Sequence, residues 1–258
     1  MAGNLAWDLM SALDDHRFAS ALATEAGELL LRIRAELADG PADDLKAAGD
    51  RGAHELLMAR LATGRPDDAV LSEEGKDDLA RLDASRTWIV DPLDGTREFS
   101  EPPRTDWAVH VALVIDGVPV AGAVALPALG ITLASQPPPV LPPAHPGAPR
   151  VIASRTRPGP AAAAVAEALG GELVFMGSAG AKAMAVVRGE AEVYAHTGGQ
   201  YEWDSCAPVA VALAAGLHAS RIDGTPLTYN NADPYLPDLL ICRPELATAC
   251  LAALGTMS

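Results

Sequence analysis

Cysteine is scarce in this sequence: there are three in 258 residues, Cys206, Cys242 and Cys250, and no two are spaced as CxxC. An odd and sparse count speaks against a disulfide framework and fits a reduced, cytoplasmic protein. The six histidines form no HxH or HExxH pattern, so a zinc site of the usual kind is not expected. Positive charge is also in short supply. With 19 Lys and Arg against 34 Asp and Glu, the formal net charge is −15, and such a surface repels nucleic-acid backbone and anionic membrane alike. An anionic substrate would need something local to reverse that field. A long apolar run is missing too: the most apolar region, residues 108–134, is interrupted by His110, Asp116 and several Gly and Pro residues, and it reads as strands and turns rather than a membrane span. Asp8, Asp14 and Asp15 break up the opening segment, so no export signal is expected there.

What is present begins with helical spacing over residues 11–37, carried by Leu22, Ala26, Leu29, Leu30, Ile33 and Leu37 and stopped by Gly40-Pro41. A second helix is expected over 50–61. "AVLSEE" and "TWIVD" read as short strands that run into carboxylates, and the alternation on either side of Asp116-Gly117 predicts a tight hairpin. The proline-rich segment 137–149 divides an N-terminal α+β part, 1–136, from a C-terminal α/β part, 150–258. In the second part "VIAS", a helix over 160–169, "ELVFMGS", a helix over 179–188, "EVYAH" and a helix over 204–215 alternate as α/β units do.

Three acidic groups fall where strands or loops give way to turns or helices: Glu73 and Glu74 in "SEEG", Asp91 and Asp94 in "DPLDGT", and Glu202 and Asp204 in "EWDSCAP". Taken singly, each has a bland reading: turn residues for the aspartate pair, a helix N-cap for Asp204, a solvated strand end for the glutamates. Together they suit a hard cation such as Mg²⁺, which takes carboxylate and carbonyl oxygens and leaves room for water and phosphate.

The ordered set "SEE", "DPLDGT" and "WDSCAP" resembles the inositol monophosphatase superfamily, and most closely its bisphosphate nucleotidase branch. The resemblance runs from about Leu22 to near the C-terminus. It implies a layered αβαβα sandwich and a Mg²⁺-dependent, lithium-sensitive phosphatase with two or three ions per site. It places Glu73, Asp91 and the Leu93 carbonyl on a first metal, and Asp91, Asp94 and Asp204 on a second. It also gives Gly95 and Thr96 the scissile phosphate, with Thr96, oriented by Asp50, positioning the attacking water. Lys46-Ala47-Ala48-Gly49 precedes Asp50 where the family often has Ser-Pro-Val-Thr. The bound cations would turn an acidic cleft into a receptor for anions.

"GSAGAK" and "ASRTRP" resemble the substrate segments of the same branch, and they nominate Ser178, Lys182, Ser154 and Arg157 for substrate contact. An ordinary Ser-capped helix explains the first of them equally well. Arg97 and Arg104 reach a phosphate or are simply solvated, Tyr201 and Trp203 read as packing groups, and His110 reads as a buried, hydrogen-bonded histidine. The partner implied is a small phosphorylated metabolite, with a homodimer as an allowed assembly and neither a nucleic-acid polymer nor a membrane. The nucleotide 3'-phosphate is the expected target, inositol monophosphatase or fructose-1,6-bisphosphatase activity the alternative on the same motif, and a non-catalytic metabolite-binding module the alternative of another class.

Overall fold

The computed structural model describes residues 14–256; Asp8 and the helix start expected at Ser11 lie outside the described residues. Helix α1 (Asp15–Glu36) is capped by Asp14, whose carboxylate accepts the Arg17 amide at 2.9 Å and satisfies a free donor of the first turn. Its buried face carries Phe18, Leu22, Ala26 and Leu30 at helical spacing. Helix α2 (Ala42–Gly64) extends beyond the expected 50–61 at both ends. Pro41 precedes it, Asp43 and Asp44 favour its first turn, and its early buried face includes Gly49 and Ala53, small residues that leave little apolar signal.

The first sheet takes the order β1 (Ala69–Ser72), β2 (Thr87–Asp94), β3 (Ala108–Ile115), β4 (Val118–Leu126), β5 (Ile131–Ala134). β1 is parallel to β2 and the other pairs are antiparallel. Asp116 and Gly117, at φ 50° and 76°, make the expected hairpin turn, the conformation that brings right-twisted strands together most tightly. β2 is buried at every position because both of its faces are covered. Trp88 and Val90 pack with α1 and α2, whereas Ile89 packs in a second core with helices α5 (Ala179–Val187) and α6 (Glu202–Ala214).

The second sheet has the order β7 (Glu172–Met176), β6 (Arg150–Ser154), β8 (Val193–Tyr201), β10 (Tyr235–Cys242), β9 (His218–Ser220). Helices α4 (Pro160–Leu169) and α7 (Ala247–Gly255) cover its far face through Ala162, Val165, Cys250 and Leu254. The layers are therefore helix, sheet, helix, sheet, helix, the αβαβα sandwich that the motif resemblance implies. The first sheet ends at Ala134 and the second begins at Arg150, with the proline-rich stretch between them. Strands β9 and β10 and helix α7 carry no expectation from the sequence. Among the described residues no helix is long and apolar enough to cross a membrane.

Candidate metal centre and substrate cavity

Asp91 and Asp94 stand at the end of β2, opposite β3, where the register slips between them. Gly95 then turns the chain at φ +86° into the four-residue helix α3 (Thr96–Phe99). A Cβ there would lie 3.0 Å from the Ser178 Cβ and 3.2 Å from the Asp106 carbonyl oxygen, so glycine is required both for the backbone angle and for the close approach. Asp204 arrives from the other half of the chain. It is not the N-cap of α6, which starts two residues earlier than expected; it is the third helical residue, and its carboxylate reaches back to accept the Tyr201 amide at 2.7 Å. That is half of a capping box, and it leaves the other carboxylate oxygen available.

Asp91, Asp94 and Asp204 each present an oxygen within 4.8 Å of the others. The crowding is visible in their proton affinities. Desolvation and the neighbouring Glu73, Asp94 and Asp204 charges raise Asp91 well above the usual carboxylate range. Asp204 is pushed up to about 6 by desolvation and by Asp94. Glu73 lies just past the end of β1, beside Asp91, and is raised to about 7 by desolvation and by Asp204, Asp94 and Glu74. Carboxylates that resist ionisation together are a centre of uncompensated negative charge, and an oxygen-only donor set of this kind fits a hard divalent cation.

Asp94 is the exception. Desolvation alone would raise it, but contact with the His110 ring, the Lys182 charge and the Ser178 hydroxyl bring it down to about 2. Its oxygens accept the Gly180 amide at 2.6 Å, the Ala179 amide at 3.1 Å and the Ser178 hydroxyl, so this carboxylate also neutralises the N-terminus of α5. His110 is fully buried, with Nδ1 2.9 Å from the Trp203 carbonyl oxygen and Nε2 3.3 Å from Asp94. The expected buried, bonded histidine is present, and it also touches the acidic cluster, a contact not expected from the sequence. Its pairing with Asp91 across β2 and β3, as a polar residue on an apolar strand, is the signal that could have shown this. Gly180 completes the contact, since a Cβ there would lie 2.0 Å from the His110 Nε2.

Asp50 lies midway along α2. The Thr96 hydroxyl is 3.3 Å from its carboxylate and 3.1 Å from the Leu93 carbonyl oxygen. Desolvation and the Glu74 charge lift Asp50 to about 6 against the Thr96 bond and Lys46.

A cavity of about 530 Å³ opens beside the cluster, lined by Asp94, Gly95, Thr96 and Asp204 at one side and by Ser154, Arg157, Ser178 and Lys182 at another. All four nominated substrate residues therefore face the same space. Two of them have further commitments. Ser178 caps α5 by accepting the Ala181 amide at 2.9 Å while donating to Asp94, and buried Lys182 donates to the Gly177 and Ser178 carbonyls. Arg97 lines the cavity, whereas Arg104 is paired with Asp106 and does not line it. Tyr201 stacks on Trp203 at 4.8 Å, outside the cavity lining, as packing groups do. Tyr194, His196 and Gln200 of β8, for which the sequence carries no expectation, also line the cavity.

Three helical layers around two sheets, with strand-end carboxylates gathered at the mouth of a polar cavity, define a layered α/β protein built around a candidate cation site. The chain belongs to the inositol monophosphatase family, whose pattern it matches over residues 12–137 and 151–254. It is 52% identical over 244 residues to the 3'-phosphoadenosine 5'-phosphate phosphatase of Mycobacterium bovis, covering 90% of each chain. It is 50% identical to the protein of the same name from Mycobacterium leprae, covering 98% of each. The crystal structure of CysQ from Bacteroides thetaiotaomicron superposes with a TM-score of 0.72 at 31% identity, covering 88% of this chain and 96% of that one.

Proposed function

We propose that this chain is a Mg²⁺-dependent phosphatase that removes the 3'-phosphate of 3'-phosphoadenosine 5'-phosphate, giving adenosine 5'-monophosphate and phosphate. The observation that carries the proposal is the meeting of Asp91, Asp94 and Asp204 at one end of a cavity that also holds Arg157 and Lys182. The names of the half-identical relatives support the nucleotide as substrate.

Glu73, Asp91, the Leu93 carbonyl, Asp94 and Asp204 would hold two or three Mg²⁺ ions. Magnesium bound there would acidify the attacking water and neutralise charge on the phosphate and the leaving oxygen. The protein's own contribution is placement. Thr96, with Asp50 as the acceptor of its proton, orients and helps deprotonate the water. The backbone amides of Gly95 and Thr96 face the scissile phosphate, Ser178 holds Asp94 in position, and Arg157 and Lys182, with Ser154 beside them, supply positive charge and hydrogen bonds for the second phosphate. Turnover of 3'-phosphoadenosine 5'-phosphate, inositol 1-phosphate and fructose 1,6-bisphosphate with Mg²⁺ tests the proposal. The nucleotide is expected to have the highest kcat/KM, and a higher value for either of the others overturns the substrate assignment.

A further inference from the structure

Three of the buried side-chain polar atoms left without a hydrogen-bond partner among the described residues fall within one short stretch of β8: His196 Nε2, Thr197 Oγ1 and Gln200 Oε1. Thr197 is next to Gly159 and is not part of the cavity lining. The other two line the cavity. A buried polar atom without a partner is costly and uncommon in a folded protein, and two beside one cavity mark a place where a ligand supplies the bonds.

The surroundings define what that ligand part is. Gln200 is 4% exposed and its amide is held at one end, with Nε2 donating to the Tyr194 hydroxyl at 2.7 Å. The opposite end is fixed in direction as a result. Gly198 and Gly199, at φ +86° and +96°, and the register shift opposite Leu236 and Asp238 bend the strand just before Gln200, as bulges that re-aim a side chain do. His196 is uncharged at neutral pH: desolvation, Lys182 and Arg157 hold its pKa down to about 4. A neutral imidazole and a neutral amide recognise hydroxyl, amine and ring-nitrogen groups rather than phosphate. The cationic groups of the same cavity, Arg157 and Lys182, are already suited to phosphate.

We propose that His196 and Gln200 bind the uncharged nucleoside part of the substrate and set the preference for nucleotides over smaller phosphate esters. This rests on the nucleotide reading above and adds the residues that enforce it. A substrate without a nucleoside leaves both groups unpaired, the situation in which a site discriminates most strongly.

The test is KM and kcat for 3'-phosphoadenosine 5'-phosphate and inositol 1-phosphate with wild type, His196→Phe and Gln200→Leu. Each variant is expected to raise the nucleotide KM by about tenfold, to leave its kcat much less affected, and to change the inositol 1-phosphate KM by far less. KM does not depend on the fraction of active enzyme, so partial misfolding cannot imitate this pattern. An unchanged nucleotide KM, or equal rises for both substrates, overturns the assignment of His196 and Gln200 while leaving the nucleotide reading in place. A wild-type preference for inositol 1-phosphate overturns that reading itself, and this proposal with it.

Discussion

The Asp94 carboxylate accepts the Gly180 amide at 2.6 Å, so a candidate cation ligand at the end of a strand in the first sheet also caps a helix of the middle layer. Asp94→Asn is therefore expected to destabilise the metal-free protein by about 3 kcal/mol, because a buried charge bonded to two amides and a hydroxyl, and 3.3 Å from the His110 ring, loses its ionised form. Chemical denaturation in chelator measures it, and a stability equal to wild type contradicts it.

Asp91→Asn should behave in the opposite way. Asp91 is crowded by carboxylates and held well above the normal range, so the neutral amide relieves repulsion. Turnover should fall by about 10³-fold or more as the proposed shared cation ligand is lost, while the metal-free Tm at pH 8 rises by about 3 °C. Activity near wild type with normal Mg²⁺ binding would remove Asp91 from the centre.

Metal-free protein should lose stability as pH rises from about 4 to about 7. Glu73, raised to about 7, and Asp50 and Asp204, raised to about 6, bind protons more tightly in the folded state than in the unfolded chain. Their contribution is thus present at low pH and is lost as pH climbs through those values. Asp94, lowered to about 2, works in the other direction, and its contribution is lost only as pH falls below about 4. Thermal melts across pH in chelator and in Mg²⁺ should diverge with rising pH. Parallel curves would mean that the cation does not compensate these charges.

Asp50→Asn should lower kcat by about 10²-fold with little change in KM, since in the proposed mechanism the pair with Thr96 acts on the attacking water. The acid limb of the wild-type rate profile, expected near pH 6 from Asp50, should disappear in the variant. A variant that keeps the limb assigns it to another group.

Arg81, 2% exposed, joins the segment after Glu73 to the loop before β10 by donating to Asp77 at 2.7 Å, to the Asn230 side chain at 2.7 Å and to the Asn231 carbonyl at 2.8 Å. Arg81→Lys cannot reproduce this fork and should cost about 2–4 kcal/mol. A loss below 0.5 kcal/mol on denaturation, the ordinary range of a surface substitution, would show that the clamp carries little.

Several helices, the Asp116-Gly117 hairpin and the acidic groups were legible in the sequence because they rest on local signals, apolar periodicity, a turn dipeptide and carboxylates at strand ends, whereas the layering came only through the resemblance of the motifs. The first turns of α2, before Asp50, carry little apolar signal because Leu45 and Gly49 are their only buried residues. β10 went unassigned although its run Leu239–Leu240–Ile241–Cys242 is buried. His196 and Gln200 could not be nominated from composition, because their meaning lies in bonds they lack, and an absent partner is visible only in three dimensions. Ser178 shows the reverse limit: the helix cap expected of it is present, and the same hydroxyl bonds Asp94 at the edge of the cavity.

Asp91 and Asp94 leave the ribosome early, and Asp204 follows only after most of the second sheet has been made. α6, which carries Asp204, packs against β4 and β2 of the first sheet while its first turn continues from β8 of the second. A nascent or partly folded chain with only its first sheet in place thus holds Glu73, Asp91, the Leu93 carbonyl and Asp94 and lacks only Asp204, the one proposed ligand carried by the other half. On the proposed ligand set the site is completed only when α6 has docked, so full affinity for Mg²⁺ comes late in folding and the ion stabilises the finished molecule more than the intermediates on the way to it.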